Sequence, residues 1–112
     1  MTPEAAAQGQ LDAYNARNLE AFMAFYADDV KLYRVPSTQP VIEGKAAFAT
    51  FYGEQRFTLP ELHAELVNRI VVGNKVIDHE RVTGVREQPF EVAVAYEVVD
   101  GLIRSVWSFA AE

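Results

Sequence analysis

Residues 90–110 read FEVAVAYEVVDGLIRSVWSFA and carry the main fold signal of the sequence. Two segments rich in β-branched and aromatic residues flank Asp100-Gly101, a dipeptide typical of tight hairpin turns. The same composition occurs twice upstream, in LHAELVNRIVV at 62–72 and in KVIDHERVTGV at 75–85. The pattern predicts four antiparallel strands that follow one another as a meander.

The first half of the sequence has helical spacing instead. Thr2 is a suitable N-cap, with Pro3 at the first helical position, and a helix is predicted from there to about Tyr14. Asn18 can cap a second short helix, LEAFMAFYADD at 19–29. This order predicts an α+β fold with helices packed on one face of a curved sheet. The remaining predicted elements are a short strand, VKLYRV at 30–35, and a third helix, KAAFATFYGEQ at 45–55.

Length and composition exclude several classes of protein. The chain has 112 residues, which fits a single domain over 1–112, with a net charge of −6 and no cysteine. A polyanion would be repelled by this charge, so we expect no nucleic-acid partner. No apolar run approaches the roughly 20 residues of a membrane span, and the N-terminus lacks the pattern of a signal peptide. We therefore expect a cytoplasmic protein that does not bind membranes.

Three phrases carry a family resemblance: NARNLEAFMAFYADD at 15–29, IEGKAAFATFY at 42–52 and YEVVDGLIRSVWSF at 96–109. Together with the order of elements, they resemble the nuclear transport factor 2-like superfamily, especially its SnoaL-like and ketosteroid-isomerase-like branch. The resemblance implies a cone-shaped, mixed sheet wrapped around the N-terminal helices and enclosing a hydrophobic pocket. It also implies a homodimer formed through the outer face of the sheet. Because this fold hosts isomerases, cyclases, hydrolases and proteins without chemistry, it does not settle the function.

The chemical groups of the ketosteroid isomerases are replaced at the matching positions. The resemblance places Gln10 where those enzymes have an oxyanion-binding Tyr, and Arg34 where they have the general-base Asp. Their remaining carboxylic acid matches Val94 or, with a shift of one residue, Ala95. Since a guanidinium stays protonated, Arg34 cannot abstract a proton, and we expect no steroid isomerisation by that mechanism.

A second branch, the limonene-epoxide-hydrolase-like proteins, carries E-R-V-D on a strand where this chain has E-R-V-T at 80–83. The resemblance implies that Arg81 faces the pocket. Because side chains alternate along a strand, His79 would face the pocket with it, and Asp78 and Glu80 would lie on the outer face. The final Asp of the motif is a Thr in this chain, so epoxide hydrolysis is not expected.

His79 and Arg81 are the predicted catalytic pair. A histidine beside a fixed cation is a credible general acid/base, because the cation favours the neutral imidazole. The alternative is that both residues make cross-strand or dimer contacts. No spacing of His and acidic residues on one element is typical of a metal site, so we expect neither a metal nor another cofactor.

Four residues are predicted to contact a ligand: Tyr14, Arg34, Tyr96 and Trp107. An aromatic residue beside a cavity can hold a ligand through its polar tip, although ordinary core packing is the alternative. An arginine at the mouth of a pocket would prefer a carboxylate, phosphate or enolate, although Arg34 could equally be a surface charge.

Two functions remain open from the sequence. The first is a small-molecule pocket protein, with His79 as proton carrier and Arg81 or Arg34 stabilising negative charge if it is an enzyme. The chemistry would then be cofactor-free acid/base catalysis of isomerase, cyclase, lyase or hydrolase type on a small, largely apolar substrate. The second is a non-catalytic ligand-binding or dimerisation module. A cavity beside the predicted pair would favour the first, and a filled core the second.

Overall fold

The computed structural model describes residues 1–111, and within them it contains three helices and one six-stranded sheet. The predicted α+β class is confirmed. No helix in this part of the chain is both long and apolar enough to cross a membrane. The elements in chain order are α1 (Pro3–Asn15), α2 (Leu19–Met23), β1 (Tyr26–Arg34), β2 (Ile42–Glu43), α3 (Lys45–Gln55), β3 (His63–Val72), β4 (Lys75–Thr83), β5 (Phe90–Val99) and β6 (Leu102–Ala110).

The sheet has the strand order β2-β1-β6-β5-β4-β3. Strands β3 to β6 form the predicted antiparallel meander, and β1 pairs in parallel with β6, so the sheet is mixed. The hairpin between β5 and β6 turns at Asp100 (φ 52°) and Gly101 (φ 81°). Two consecutive positive φ angles are what a type I′ hairpin requires, which explains why the Asp-Gly pair marks this turn in the sequence.

Helix α1 begins at the predicted residue. The Thr2 side chain accepts a hydrogen bond from the Ala5 amide at 3.1 Å, and Pro3 occupies a position where no amide donor is needed. One side of α1 is buried against the sheet, and Gln10 is a polar residue on that side. The helix therefore delivers a polar side chain into the interior.

The predicted second helix is too long. Helix α2 ends at Met23, and the chain enters β1 at Tyr26 instead of continuing to Asp29. Tyr26 and Val30 are buried in the strand, and β1 has a hydrogen-bonded neighbour on each side. Pairing with two strands outweighs the helical spacing of this short segment.

Gly84 follows β4 and lies close to the segment that leads into β3. Its φ is 83°, and a Cβ atom at this position would lie 2.1 Å from the Glu61 carbonyl oxygen. Only glycine fits this combination of left-handed backbone and close approach. The turn after β4 is therefore held against the start of the neighbouring strand.

The core lies between the helices and one face of the sheet, which we call the inner face. It is rich in aromatic rings: Phe22 is fully buried, with its ring centroid 4.8 Å from that of Tyr52 and 4.9 Å from that of Tyr26. Phe48 is also fully buried and packs on Tyr26 at 5.3 Å. These rings fill only part of the space beneath the sheet, and the remainder forms the cavity described next.

Candidate functional site

A cavity of about 540 Å³ opens between the helices and the inner face of the sheet. All three helices contribute to its wall, together with β1, β4, β5, β6 and the loop between β4 and β5. The wall is mostly aromatic and aliphatic, with a small number of polar side chains. This combination is typical of sites for small organic molecules. Apart from four arginines and Glu91, the polar residues of the wall are Gln10, Tyr14, Tyr26, Tyr52, Glu80, Tyr96 and Ser108.

Glu80 is the buried carboxylate of this cavity. It is 7% exposed, and its Oε2 is the only buried side-chain oxygen or nitrogen without a hydrogen-bond partner among residues 1–111. The pKa of Glu80 is raised to about 7, first by burial and then by the nearby Asp78 charge, while the Arg69 charge partly opposes the shift. A carboxyl group with this pKa can both accept and donate a proton near neutral pH.

Asp78, two residues earlier on the same face of β4, is fully buried but has a dedicated partner. The Arg69 Nε and Nη2 atoms donate to its Oδ1 and Oδ2 atoms at 2.7 and 3.0 Å, across the β3–β4 pair. Arg69 Nη1 also donates to Gln8 Oε1 on α1 at 2.9 Å. Asp78 therefore holds β3, β4 and α1 together, whereas the Glu80 carboxyl has no such neutralising contact.

Gln10 connects two tyrosines in the wall of the cavity. Tyr26 Oη donates to Gln10 Oε1 at 3.0 Å, and Gln10 Nε2 donates to Tyr96 Oη at 3.1 Å and to the Ala7 carbonyl at 3.0 Å. Because Tyr96 Oη is the acceptor in its bond with Gln10, its own proton is available to an oxygen atom in the cavity. Burial, followed by neighbouring negative charge, raises the pKa of Tyr26 and Tyr96 well above the usual value. Both phenols are therefore neutral hydrogen-bond donors.

The helical side of the cavity carries Tyr14 and Tyr52, with ring centroids 6.3 Å apart. Burial raises the pKa of Tyr52 to about 12, while the positive charges of Arg56 and Arg34 act in the opposite direction. Burial also raises the pKa of Tyr14, again against the charge of Arg56. Positive charge is thus concentrated near the two tyrosines on this side.

Residues 7–106 match the family model of the SnoaL-like domain. The chain belongs to the SnoaL-like domain family. The predicted family resemblance is thereby confirmed, while no curated protein sequence matches the chain significantly.

Several solved structures share the fold of this SnoaL-like domain. An uncharacterised cystatin-fold protein from Novosphingobium aromaticivorans is 23% identical with a TM-score of 0.88, over 96% of this chain and 97% of that one. A protein from Kribbella flavida, provisionally assigned as a ketosteroid isomerase, is 26% identical with a TM-score of 0.84, over 98% and 78%. A computationally designed 17-OHP binder is 17% identical with a TM-score of 0.78, over 96% and 91%.

The predicted orientation of β4 in this SnoaL-like domain is wrong. Asp78 and Glu80 face the interior, and His79 and Arg81 belong to the outer face. The reason is the pairing with β5, which sets Glu80 opposite Val92 on the inner face of the sheet. Because side chains alternate along a strand, every polar side chain of β4 lies on the face opposite to the predicted one.

The two residues of the predicted catalytic pair therefore do not meet inside the cavity. His79 is half-exposed on the outer face, where its Nε2 contacts Glu91 Oε1. Arg81 is exposed and borders the cavity at its rim. A proton carrier inside the cavity has to come from the other set of β4 side chains, and Glu80 is the group placed there.

Three of the four predicted ligand contacts line the cavity, namely Tyr14, Arg34 and Tyr96. The prediction for Trp107 is wrong, because alternation along β6 turns its ring to the outer face, where it stacks on Tyr33 with 5.9 Å between centroids. Its neighbours Val106 and Ser108 are the ones that line the cavity. Gln10, Arg34 and Val94, at the positions matched to the isomerase machinery, all border the cavity.

Sequence reasoning missed Glu80 as a cavity residue. The available signal was the neighbouring strand, where Val92 and Val94 alternate onto the same face as Tyr96, a predicted ligand contact. The register sets Glu80 opposite Val92 and Asp78 opposite Val94. Once it is known which residues of β4 and β5 lie opposite each other, the inner face of β4 follows without further information.

No group of three or more His, Cys, Asp or Glu side chains suited to a metal ion occurs within residues 1–111. The polar groups in the described part of the cavity wall are carboxyls, phenols, an amide, a hydroxyl and guanidinium groups.

Proposed function

We propose that this SnoaL-like domain binds a small, largely apolar molecule in its cavity and transfers a proton to and from it with Glu80. The observation that carries the proposal is the buried Oε2 atom of Glu80, which lines the cavity and has no hydrogen-bond partner among the described residues. A buried polar atom without a partner is costly, and a functional role is one reason for retaining it.

The proposed chemistry is proton abstraction next to a carbonyl group, as in isomerisation, cyclisation or elimination. Glu80 accepts the proton from carbon, and with a pKa of about 7 it is close to half ionised at neutral pH. Tyr96, whose Oη is already an acceptor from Gln10, donates a hydrogen bond to the oxygen on which negative charge develops and keeps its proton. The protonated Glu80 then returns the proton to a different atom of the ligand.

The structural relatives support the ligand-binding half of this proposal. One protein with this fold has been designed to bind 17-OHP, and another is provisionally assigned as a ketosteroid isomerase. Both cover nearly all of this chain, so the architecture around the cavity is shared with proteins linked to small-molecule ligands.

The test is deuterium exchange into 2-tetralone, a small apolar ketone with an acidic C–H group, followed by NMR in D₂O. We expect the protein to accelerate exchange. In the Glu80→Gln variant the acceleration should be roughly 100-fold smaller, because the base has been lost. Glu65→Gln is the matched control, since Glu65 lies opposite Arg81 in the strand register, on the outer face, and is exposed. Equal acceleration by the Glu80→Gln variant would contradict the role of Glu80.

A non-catalytic ligand-binding module is the second candidate. It is favoured by Gln10, Arg34 and Val94, which border the cavity at positions matched to the isomerase catalytic groups. Saturable binding of 2-tetralone without any acceleration of exchange would select this alternative.

A further inference from the structure

We propose that the natural ligand of the cavity carries a carboxylate or a similar anionic group, bound by arginines at the cavity mouth and away from Glu80. This inference rests on the proposed function, because it names the class of molecule that the same cavity takes. It depends on four arginines and on the charged groups near each of them.

The wall of the cavity is rich in arginine. The net charge of the chain is −6, yet four of its seven arginines border this one space. The carboxylates in the same wall are Glu80, which is buried, and Glu91, which contacts His79 on the outer face. The cavity mouth therefore has an excess of positive charge in an acidic protein. The four arginines are Arg34, Arg56, Arg81 and Arg86.

These four arginines form no ion pair with any carboxylate within the part of the chain that the structure describes. Two of them instead lie over aromatic rings: Arg56 over Phe51 at 5.1 Å and Arg86 over Phe90 at 4.2 Å. A guanidinium stacked on a ring keeps its N–H edge available for a planar anion. Arg56 uses one such group, Nη1, for the Gln55 carbonyl, which leaves its other donors.

The other three arginines are engaged elsewhere. Arg69 forms the buried pair with Asp78, Arg104 lies 3.4 Å from an Asp29 carboxylate oxygen, and Arg17 donates to the Leu62 carbonyl. Two of the three arginines away from the cavity thus pair with a carboxylate, whereas none of the four at the cavity mouth does so among the described residues. An anionic ligand would supply the missing partner through two parallel N–H···O bonds.

The positive charge also lies apart from the proposed base. Arg34 ends β1 and Arg56 follows α3, whereas Glu80 is on β4, which β6 and β5 separate from β1 in the sheet. An anion held near Arg34 and Arg56 would leave the apolar body of the ligand along the aromatic wall and its far end near Glu80. The cavity is therefore suited to an amphipathic molecule bound in one orientation.

The experiment compares two probes of nearly equal shape, 2-naphthoate and its neutral amide 2-naphthamide, by isothermal titration calorimetry at low salt. We expect the carboxylate to bind about tenfold more tightly, and this preference to fall to about twofold in the Arg34→Gln/Arg56→Gln double variant. Added salt should weaken binding of the carboxylate and leave binding of the amide unchanged. Arg104→Gln is the control, because it removes the same charge from an exposed residue outside the cavity wall.

Every outcome of the titration either supports or overturns the proposed anion site. Equal affinity for the two probes, or a preference that survives in the double variant, would overturn the anion site and leave proton transfer by Glu80 standing. Failure of both probes to bind the wild-type protein would count against the cavity as a ligand site and overturn the inference as well. The Glu80→Gln exchange test is a separate readout, so failure of the proposed chemistry is recognised independently of the anion preference.

Discussion

The two faces of β4 each carry two neighbouring ionisable side chains, but they place them in opposite surroundings. Asp78 and Glu80 face the interior and are almost completely buried, while His79 and Arg81 face outward in contact with solvent. The residue types alone favour His79 as the acid/base group, because its ordinary pKa is nearest to neutral. Burial reverses this ranking: it moves the pKa of the Glu80 carboxyl to about 7 and puts it in the wall of a cavity. The lesson is that environment, more than side-chain type, selects the reactive group.

The largest effect in this comparison is expected from breaking the buried pair of the inner face. Arg69→Ala would leave the fully buried Asp78 charge without its partner and should lower the free energy of unfolding by about 3–5 kcal/mol. Arg81→Ala, the equivalent change on the outer face, should lower it by less than about 0.5 kcal/mol. Urea unfolding monitored by circular dichroism measures both.

A double variant tests the cause of the Arg69 effect. Arg69→Met/Asp78→Leu removes both charges, so it should recover most of the stability lost in Arg69→Ala. If the double variant is as unstable as the single one, the loss comes from packing around Arg69 instead of from an unpaired carboxylate.

The next effect concerns the pH dependence caused by Glu80. Its pKa is about 7 in the folded protein and 4.5 ordinarily, so the folded state binds this proton more tightly than the unfolded state does. Stability should therefore fall as the pH rises from about 4.5 to about 7, by roughly 3 kcal/mol from this group, and then stay level. Glu80→Gln should abolish that fall and make the variant the more stable protein at pH 8. Thermal unfolding between pH 4 and pH 8 measures the difference.

The matching control for the pH experiment is Glu65→Gln on the outer face. Its pH profile should follow the wild type, because Glu65 is exposed. A Glu80→Gln profile that also follows the wild type would mean that the folded and unfolded states bind the Glu80 proton equally.

The smallest effect is expected on the outer face. The His79 and Glu91 side chains that contact each other there are 45% and 57% exposed, so solvent screens their attraction. His79→Gln should change the free energy of unfolding by less than about 1 kcal/mol and leave 2-tetralone exchange unaltered. A large loss of exchange in this variant would restore His79 as a catalytic candidate and reverse the comparison between the two faces.

Most of the fold could be predicted because each signal is local. The N-cap at Thr2, the Asp100-Gly101 turn and the period-two segments each specify backbone geometry within a few residues. The end of α2 could not be predicted in the same way. Its continuation has helical spacing, but Tyr26 at the start of β1 pairs with Ile103 of β6, far along the chain.

The site was predicted only in part, since it depends on which side of each strand faces inward. Tyr14 and Tyr96 were found because their apolar neighbours identify the buried side of α1 and β5. On β4 and β6 both faces carry bulky or charged residues, so composition leaves the choice open, and Glu80 and Trp107 were assigned to the wrong faces. That choice is made by strand register, which links residues from distant parts of the sequence.

Gly84 has a consequence for the polarity of the cavity. It holds the turn after β4 in a backbone conformation and at a distance from Glu61 that other residues do not tolerate, and so it fixes how far β4 extends before the chain returns as β5. A slip of β4 by one residue would turn His79 and Arg81 inward and Asp78 and Glu80 outward. The strand would then turn an imidazole and a guanidinium toward the cavity in place of two carboxyl groups. A residue without a side chain thus helps to determine which β4 side chains a bound molecule meets.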